Sequence, residues 1–156
     1  MSYFGIGIYH TKTPANIGSL MRSAYCFGAS FVFTIGKRYT KDCMDTPNCG
    51  AQVPLYHYKD LQAFLAHVPV GCRMVGVELH EKARSLGSFC HFKQAVYLLG
   101  AEDSGLSSEA LNACHAIVQV PGLRMCLNVA VAGSLVLFDR QQKLGGNRHE
   151  SVPTVA

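Results

Sequence analysis

Short apolar stretches alternate with segments of helical periodicity along this chain. Tyr3–Tyr9 and 30–35 are short and rich in β-branched and aromatic residues, as strands buried on both faces are. Between them the apolar residues recur with the spacing i, i+3, i+4 and i+7, which predicts one face of a helix. Asn16 would cap this helix and Gly28 would end it. The first third of the chain therefore predicts a strand, a helix and a second strand.

The same alternation continues along the rest of the chain. Three more strands are predicted at 73–79, 95–99 and 116–120, and three helices at 59–67, 107–114 and 128–144. Residues 36–54 show neither pattern, and the polar residues 145–156 predict a flexible tail. Strands that alternate with helices form a parallel sheet covered on both faces. We therefore expect a single α/β domain over residues 1–144, with ligands beyond the carboxyl ends of the strands.

The composition narrows the class of protein. Hydrophobic residues make up 49% of the 156 residues and charged residues 15%, which excludes a disordered chain. The net charge of +4 permits nucleic acid as a partner without requiring it. We expect no membrane span and no signal peptide, because there is no run of about 18 apolar residues and no basic N-terminal region. Seven cysteines without a C-x-x-C pair favour a reducing cytoplasm and buried thiols.

Two patterns that could indicate a bound group are weak. Gly5 and Gly7 lie inside the first strand, whereas a dinucleotide fingerprint needs its glycines in the following turn. Close packing of a neighbouring backbone explains them better. Cys-His pairs occur at 90–91 and 114–115, but adjacent residues on a strand point to opposite faces. No metal site is therefore predicted.

Two loops that follow predicted strands carry polar residues. Glycines at both ends of 100–106 would let a ligand approach the backbone, and its acidic residues could accept hydrogen bonds. An ordinary turn, with Ser104 or Ser107 capping the next helix, explains this loop equally well. In the second loop Arg124 could contact a phosphate, and Asn128 could cap the last helix. Spacing alone leaves these alternatives open.

Three segments in order resemble a known family. Residues 16–24, 100–106 and 120–132 are similar to motifs 1, 2 and 3 of the SpoU–TrmH ribose methyltransferases, in the SPOUT superfamily. The resemblance covers about residues 3–144. It implies a SPOUT fold, a parallel sheet whose C-terminal part forms a trefoil knot. It further implies S-adenosylmethionine as the cofactor without a metal, and a homodimer.

The resemblance also implies roles for single residues. The positions that match the catalytic residues of the family are Asn16, Arg22, Glu102 and Asn128. Those expected to line the cofactor are Leu79, Gly100, Val120, Cys126 and Leu127, where Cys126 replaces the usual serine. Contacts to RNA are expected from loop residues near the carboxyl edge of the sheet: Lys12, Lys37, Arg38, Lys41 and Arg124.

The function implied is transfer of a methyl group to a ribose 2′-hydroxyl of RNA. We expect tRNA as the substrate, because members that act on ribosomal RNA often carry an extra N-terminal domain. A ribosomal RNA methyltransferase and a non-catalytic RNA-binding domain remain alternatives. An arginine is too basic to release a proton readily, so we expect Arg22 to stabilise the developing oxyanion.

Overall fold

A parallel sheet lies at the centre of the protein. The computed structural model describes residues 2–36, 52–122 and 125–145. In chain order the elements of these residues are β1 Tyr3–Tyr9, α1 Pro14–Cys26, β2 Phe31–Ile35, β3 Leu55–Tyr58, α2 Leu61–Leu65, β4 Arg73–Val77, β5 Arg84–Ser85, a 3-10 turn Leu86–Ser88, β6 Gln94–Leu99, α3 Ser108–Ala113, β7 Ala116–Gln119 and α4 Val129–Leu144.

The described strands form one seven-stranded sheet in the order β3-β2-β1-β6-β4-β7-β5. All of their pairings are parallel, so their carboxyl ends meet at one edge. β2 and β3 lie on one side of β1, and the later strands β4 to β7 lie on its other side. In such sheets ligands bind at the carboxyl edge, close to the position where the strand order changes direction. The predicted α/β architecture is confirmed.

Helices cover both faces of the sheet. On one face α1 and α4 pack together over β1 and β6, with Ile17 and Leu137 almost fully buried. On the other face α2 and α3 lie over β2 and β4, and the rings of Phe33 and Phe64 stack with centroids 4.4 Å apart. None of the described helices is long and apolar enough to cross a membrane.

The first helix differs from its prediction. It begins at Pro14, and Thr13 occupies the N-cap position without a side-chain hydrogen bond. Proline is well suited to this first position, because it lacks the N–H that a helix start leaves unbonded. Asn16 therefore does not cap the helix, and its amide is available for other contacts. Gly28 follows the C-cap with a φ of 72°, so the predicted end is confirmed.

Three further expectations need correction. β3 and β5 were not predicted, since β3 has two exposed residues out of four and β5 spans only two residues. Close packing of a neighbouring backbone is confirmed at Gly7, where a Cβ would lie 2.3 Å from the backbone oxygen of Phe33. It is wrong for Gly5, where a Cβ would lie 2.3 Å from the ring of Phe31. The expectation of buried thiols is wrong for Cys26, Cys90 and Cys126, which are exposed. The knot, the domain boundary at 144 and the flexible tail remain predictions.

Candidate active site

A cleft opens at the carboxyl ends of β4, β6 and β7. Its volume is about 390 Å³, and we call it the edge cleft. The residues after each of the three strands line it, together with residues 126 and 127 before α4. All five residues that the resemblance assigns to the cofactor are among them: Leu79, Gly100, Val120, Cys126 and Leu127. The fold thus brings together residues that are up to 48 positions apart in sequence.

Glu78 holds the two loops that form one wall of the edge cleft. Its carboxylate accepts hydrogen bonds from the backbone N–H of Leu79 at 3.0 Å and of Leu106 at 2.8 Å. A Cβ on Gly100 would lie 2.6 Å from Glu78 Oε2, and a Cβ on Gly105 would lie 2.5 Å from it. Gly105 also has a φ of +63°. The two glycines therefore make room for this carboxylate.

A strained turn after β1 brings further polar groups to the same edge. His10 has a φ of 53°, which is rare outside glycine, and its N–H donates to Ile35 at 2.9 Å. Thr11 follows, almost fully buried, and its hydroxyl donates to Glu102 Oε1 at 3.0 Å. The backbone N–H of Lys12 donates to Glu102 Oε2 at 3.3 Å. The turn thus supplies both oxygens of Glu102 with donors.

Glu102, Asn16 and Asn128 form a hydrogen-bonded series that we call the polar triad. Asn16 is 5% exposed, and its Nδ2 donates to Glu102 Oε1. Asn16 Oδ1 accepts from Asn128 Nδ2 at 2.9 Å. The triad joins three distant segments, which are the three motif segments identified in the sequence. Three of the four residues expected to be catalytic are therefore in contact.

Asn128 also fixes the start of α4. As its N-cap, Asn128 accepts through Oδ1 from the backbone N–H of Ala130 at 2.9 Å and of Val131 at 3.3 Å. With Oδ1 bound to the helix, Nδ2 is the group that remains to reach Asn16. The capping role and the site role are thus performed by different atoms of one amide.

The carboxylate of Glu102 is stabilised in its ionised form. Partial burial alone would raise its pKa, but hydrogen bonds from its own N–H, Lys12, Thr11 and Asn16 outweigh that effect. The pKa of Glu102 therefore lies below its ordinary value. Glu102 is consequently a carboxylate at neutral pH, suited to accept hydrogen bonds and to orient Asn16.

The fourth residue expected to be catalytic, Arg22, lies apart from the triad. It is exposed on α1, six residues after Asn16, and has no hydrogen bond or ion pair within the described part of the chain. Its guanidinium is thus available to a group from outside the protomer.

The residues expected to contact RNA are only partly described. Lys12 forms an ion pair with Asp103 between two exposed side chains, and this pairing raises the pKa of Lys12. The exposed Lys12 thus already has an acidic partner. Lys37, Arg38, Lys41 and Arg124 lie outside the described residues.

Several residues at this edge were not found from the sequence. Glu78, Thr11 and His10 belong to no motif and stand in stretches with ordinary composition. A φ above zero at His10 has no marker in the sequence, and the role of Glu78 depends on glycines more than 20 positions away. Among residues 2–36, 52–122 and 125–145 no three His, Cys, Asp or Glu side chains cluster as metal ligands.

Solved structures share this fold. An S-adenosylmethionine-bound rRNA methyltransferase from Sinorhizobium meliloti superposes with a TM-score of 0.82 at 22% identity, over 92% of this chain and 58% of that one. A structure that concerns 2′-OH methylation of C/U34 on tRNA superposes with a TM-score of 0.82 at 23% identity, over 93% of this chain and 98% of that one. The protein therefore belongs to the class of α/β proteins that have the fold of these RNA methyltransferase structures.

The family follows from the sequence match. The model of the SpoU rRNA Methylase family matches residues 4–138, and the chain belongs to this family. The 23S rRNA (guanosine-2′-O-)-methyltransferase RlmB of Acinetobacter baylyi is 29% identical over 141 residues. That match covers 85% of this chain but spans only 57% of the length of the relative.

Proposed function

We propose that the protein is an RNA 2′-O-ribose methyltransferase that uses S-adenosylmethionine. One observation carries this proposal: the polar triad, built from all three motif segments, lies at the rim of a cleft lined by the residues expected to hold the cofactor. Family membership and the shared fold support the same activity.

The lining of the edge cleft fits an adenosyl group. Leu79, Val120 and Leu127 offer apolar surface, and the backbone groups of the loops around them can bind a purine edge. Gly100 lines the cleft directly after β6, so its backbone groups are among those that can contact a ligand. When bound, S-adenosylmethionine supplies an activated methyl group, and no metal is needed for its transfer.

The protein has to hold the ribose and stabilise charge. Glu102 orients the amide of Asn16, and Asn16 orients Asn128, so that two amides face the reacting groups from fixed positions. Positioning of this kind can contribute about 7–11 kcal/mol toward a barrier. Arg22 stabilises the negative charge that develops on the ribose oxygen.

Calorimetry tests the cofactor. S-adenosylmethionine and S-adenosylhomocysteine should bind competitively in the absence of RNA, and a chelator should leave the affinity unchanged. Absence of binding would refute the proposal, and binding that a chelator abolishes would require a metal after all.

Substitution of Arg22 tests its role. Arg22→Ala should lower the methylation rate by about 10²-fold or more, the usual effect of losing an oxyanion partner, with cofactor affinity unchanged. Arg73→Ala is the matched control, since Arg73 is exposed at the amino end of β4. Loss of cofactor binding in proportion to activity would assign Arg22 to the cofactor instead.

We propose tRNA as the substrate in preference to ribosomal RNA. The structure that concerns methylation of C/U34 on tRNA shares the fold with a TM-score of 0.82, and a tRNA (guanosine(18)-2′-O)-methyltransferase of Thermus thermophilus is 27% identical over 135 residues. Mapping of ribose methylation in total RNA, with and without the protein, tests this choice. A lost mark in ribosomal RNA would replace the tRNA assignment. No lost mark, together with intact RNA binding, would favour a non-catalytic domain.

We also propose a cytoplasmic location, which cell fractionation tests.

We further propose a homodimer that uses the outer face of α1 and α4. Val131, Leu135 and Phe138 recur on one side of α4 and are 48%, 37% and 51% exposed, and Tyr25 on α1 is 48% exposed. An apolar patch of this kind marks an interaction surface. It would also place Arg22, on the same helix as Tyr25, close to the second protomer.

Sedimentation tests the dimer. Phe138→Glu should shift the protein toward monomers and lower its activity. Val70→Glu changes a fully exposed apolar residue elsewhere and should leave the dimer intact. A wild-type monomer with full activity would refute this assembly.

A further inference from the structure

We propose that a second cleft, beside the edge cleft, binds a backbone phosphate of the RNA substrate. The inference rests on the proposed function and names part of its substrate path. The cleft has a volume of about 440 Å³ and lies between α3, the start of β7 and the segment 80–84. We call it the basic cleft.

Donors line the basic cleft. Lys82 and Arg84 are exposed, and no described acidic side chain forms an ion pair with either. Ser108 and Asn112 from α3 also line it, together with His80 and His115. Two fixed cations with hydroxyl, amide and imidazole donors around one concave surface are the groups that bind a phosphate.

Both histidines have the same nitrogen occupied. His80 Nδ1 accepts from the backbone N–H of Lys82 at 3.1 Å, and His115 Nδ1 accepts from that of Met74 at 3.1 Å. A histidine that accepts at Nδ1 carries its proton on Nε2. Each ring therefore offers an N–H donor from its other side.

Acidic side chains lie near the basic cleft but do not line it. None of the described aspartates or glutamates is part of the lining. Glu109 accepts from Gln62 Nε2 at 2.6 Å, Glu78 is bound to the loops of the edge cleft, and Glu81, between His80 and Lys82 in sequence, is exposed to solvent. Two cations and no carboxylate thus line the cleft, which favours a phosphate over a neutral ligand.

The position of the basic cleft identifies RNA as the source of the phosphate. His80 and Leu111 line both clefts, so the two share a wall. An RNA strand that reaches the edge cleft can extend past this wall, so that one of its phosphates meets Lys82 and Arg84. A contact of this kind positions the strand without reading its sequence.

The test compares two charge-matched double variants. Lys82→Gln with Arg84→Gln removes two cations from the basic cleft. Lys59→Gln with Lys93→Gln removes two exposed cations that do not line the cleft: Lys59 follows β3, on the side of the sheet away from β7, and Lys93 precedes β6. Affinity for labelled unfractionated tRNA and for fragmented ribosomal RNA is measured from about 50 to 300 mM salt, a range over which phosphate contacts are strongly weakened. Calorimetry of S-adenosylhomocysteine is the check on folding.

We expect the first double variant to lose about 10-fold or more in RNA affinity at about 100 mM salt. The slope of log affinity against log salt should shrink by about 0.7–0.9, the contribution of the one phosphate contact that is lost. Affinity for S-adenosylhomocysteine should stay unchanged. Lys82→Glu with Arg84→Glu should weaken RNA binding further, and the control pair Lys59→Gln with Lys93→Gln should change it little.

Each other outcome overturns the inference. If the wild type binds RNA and the first double variant binds it with the same affinity and slope, this inference alone fails. If the wild type binds no RNA, the proposed function fails as well. If inorganic phosphate binds by calorimetry and only that binding is lost in the double variant, the cleft belongs to a small phosphate ligand and not to RNA.

Discussion

Replacement of Asn16 by aspartate tests whether the polar triad depends on an amide at its centre. The new carboxylate would keep the oxygen that accepts from Asn128 Nδ2 at 2.9 Å. It would replace the Nδ2 donor with a second carboxylate oxygen that faces Glu102 Oε1. The substitution therefore changes one contact while the shape of the buried side chain is retained.

The cost follows from the lost contact. A hydrogen bond to a charged group contributes about 1.5–3 kcal/mol, and the exposure of Glu102 holds the loss near the lower end. The two carboxylates repel each other, so the folded state would bind a proton that the wild type does not bind. We expect Asn16→Asp to lose about 2 kcal/mol of stability at a pH of about 8.

The pH dependence of the variant should have the opposite sign to that of wild-type Glu102. In the wild type the pKa of Glu102 is lowered, so its contribution to stability is present above the unfolded pKa and is lost as pH falls. In Asn16→Asp the folded pKa of the pair is raised. Its stability is then greatest below the unfolded pKa and is lost as pH rises.

Urea unfolding at about pH 4 and about pH 8 measures this difference, because unfolded carboxyl groups titrate near about pH 4. The gap between the wild type and Asn16→Asp should be wider at the higher pH by about 1 kcal/mol. Asn112→Asp is the matched control, because Asn112 is exposed on α3, and it should change stability by less than about 0.5 kcal/mol. A gap that is constant with pH would refute the contact between residue 16 and Glu102.

Two further predictions concern the frame around the site. Gly105→Ala should lower the free energy of unfolding in urea by about 2–4 kcal/mol, because its φ is +63° and a Cβ there would lie 2.5 Å from Glu78 Oε2. Gly122→Ala should lower it by about 1–2 kcal/mol, because Gly122 has a φ of +73° but no atom within 4 Å of an added Cβ. Equal costs would exclude the steric effect of Glu78. Burial lowers the pKa of His91 and outweighs the opposing effect of Asp139, 2.8 Å from its Nε2, while Arg140 and Lys143 lower it further. Stability should therefore be full above about pH 6.5 and fall toward about pH 5. In His91→Gln the melting temperature should change less with pH over that range. If it depends on pH as strongly as in the wild type, another group titrates there.

The periodicity of the sequence predicts the frame of the fold because that frame is apolar. β1, β2 and β6 are continuous buried runs, and α1 has a clear apolar face. β3 and β5 lie at the edges of the sheet, where pairing depends on neighbours more than on composition.

The site was accessible from the sequence only through its motifs. Asn16, Glu102 and Asn128 were found because each stands in a motif, yet their mutual contacts depend on strand order, which periodicity does not give. Glu78 and His10 stand in no motif. The role of Glu78 depends on glycines of another loop, and the role of His10 depends on the backbone turn that it forms. In the sequence Lys82 and Arg84 are indistinguishable from ordinary surface charges, and only the fold places them around one cleft.

The composition of the polar triad limits what it can do chemically. Two of its members are amides, which do not titrate, and the lowered pKa of the third keeps it ionised at neutral pH. A carboxylate of this kind is a weak base, and it already accepts hydrogen bonds from Thr11, Lys12 and Asn16. The triad therefore contributes orientation more readily than proton transfer. That agrees with a displacement in which the acceptor oxygen must be held in line with an activated methyl group. It also explains why the buried amide of Asn16, and not an acid, stands at the point where the three motif segments meet.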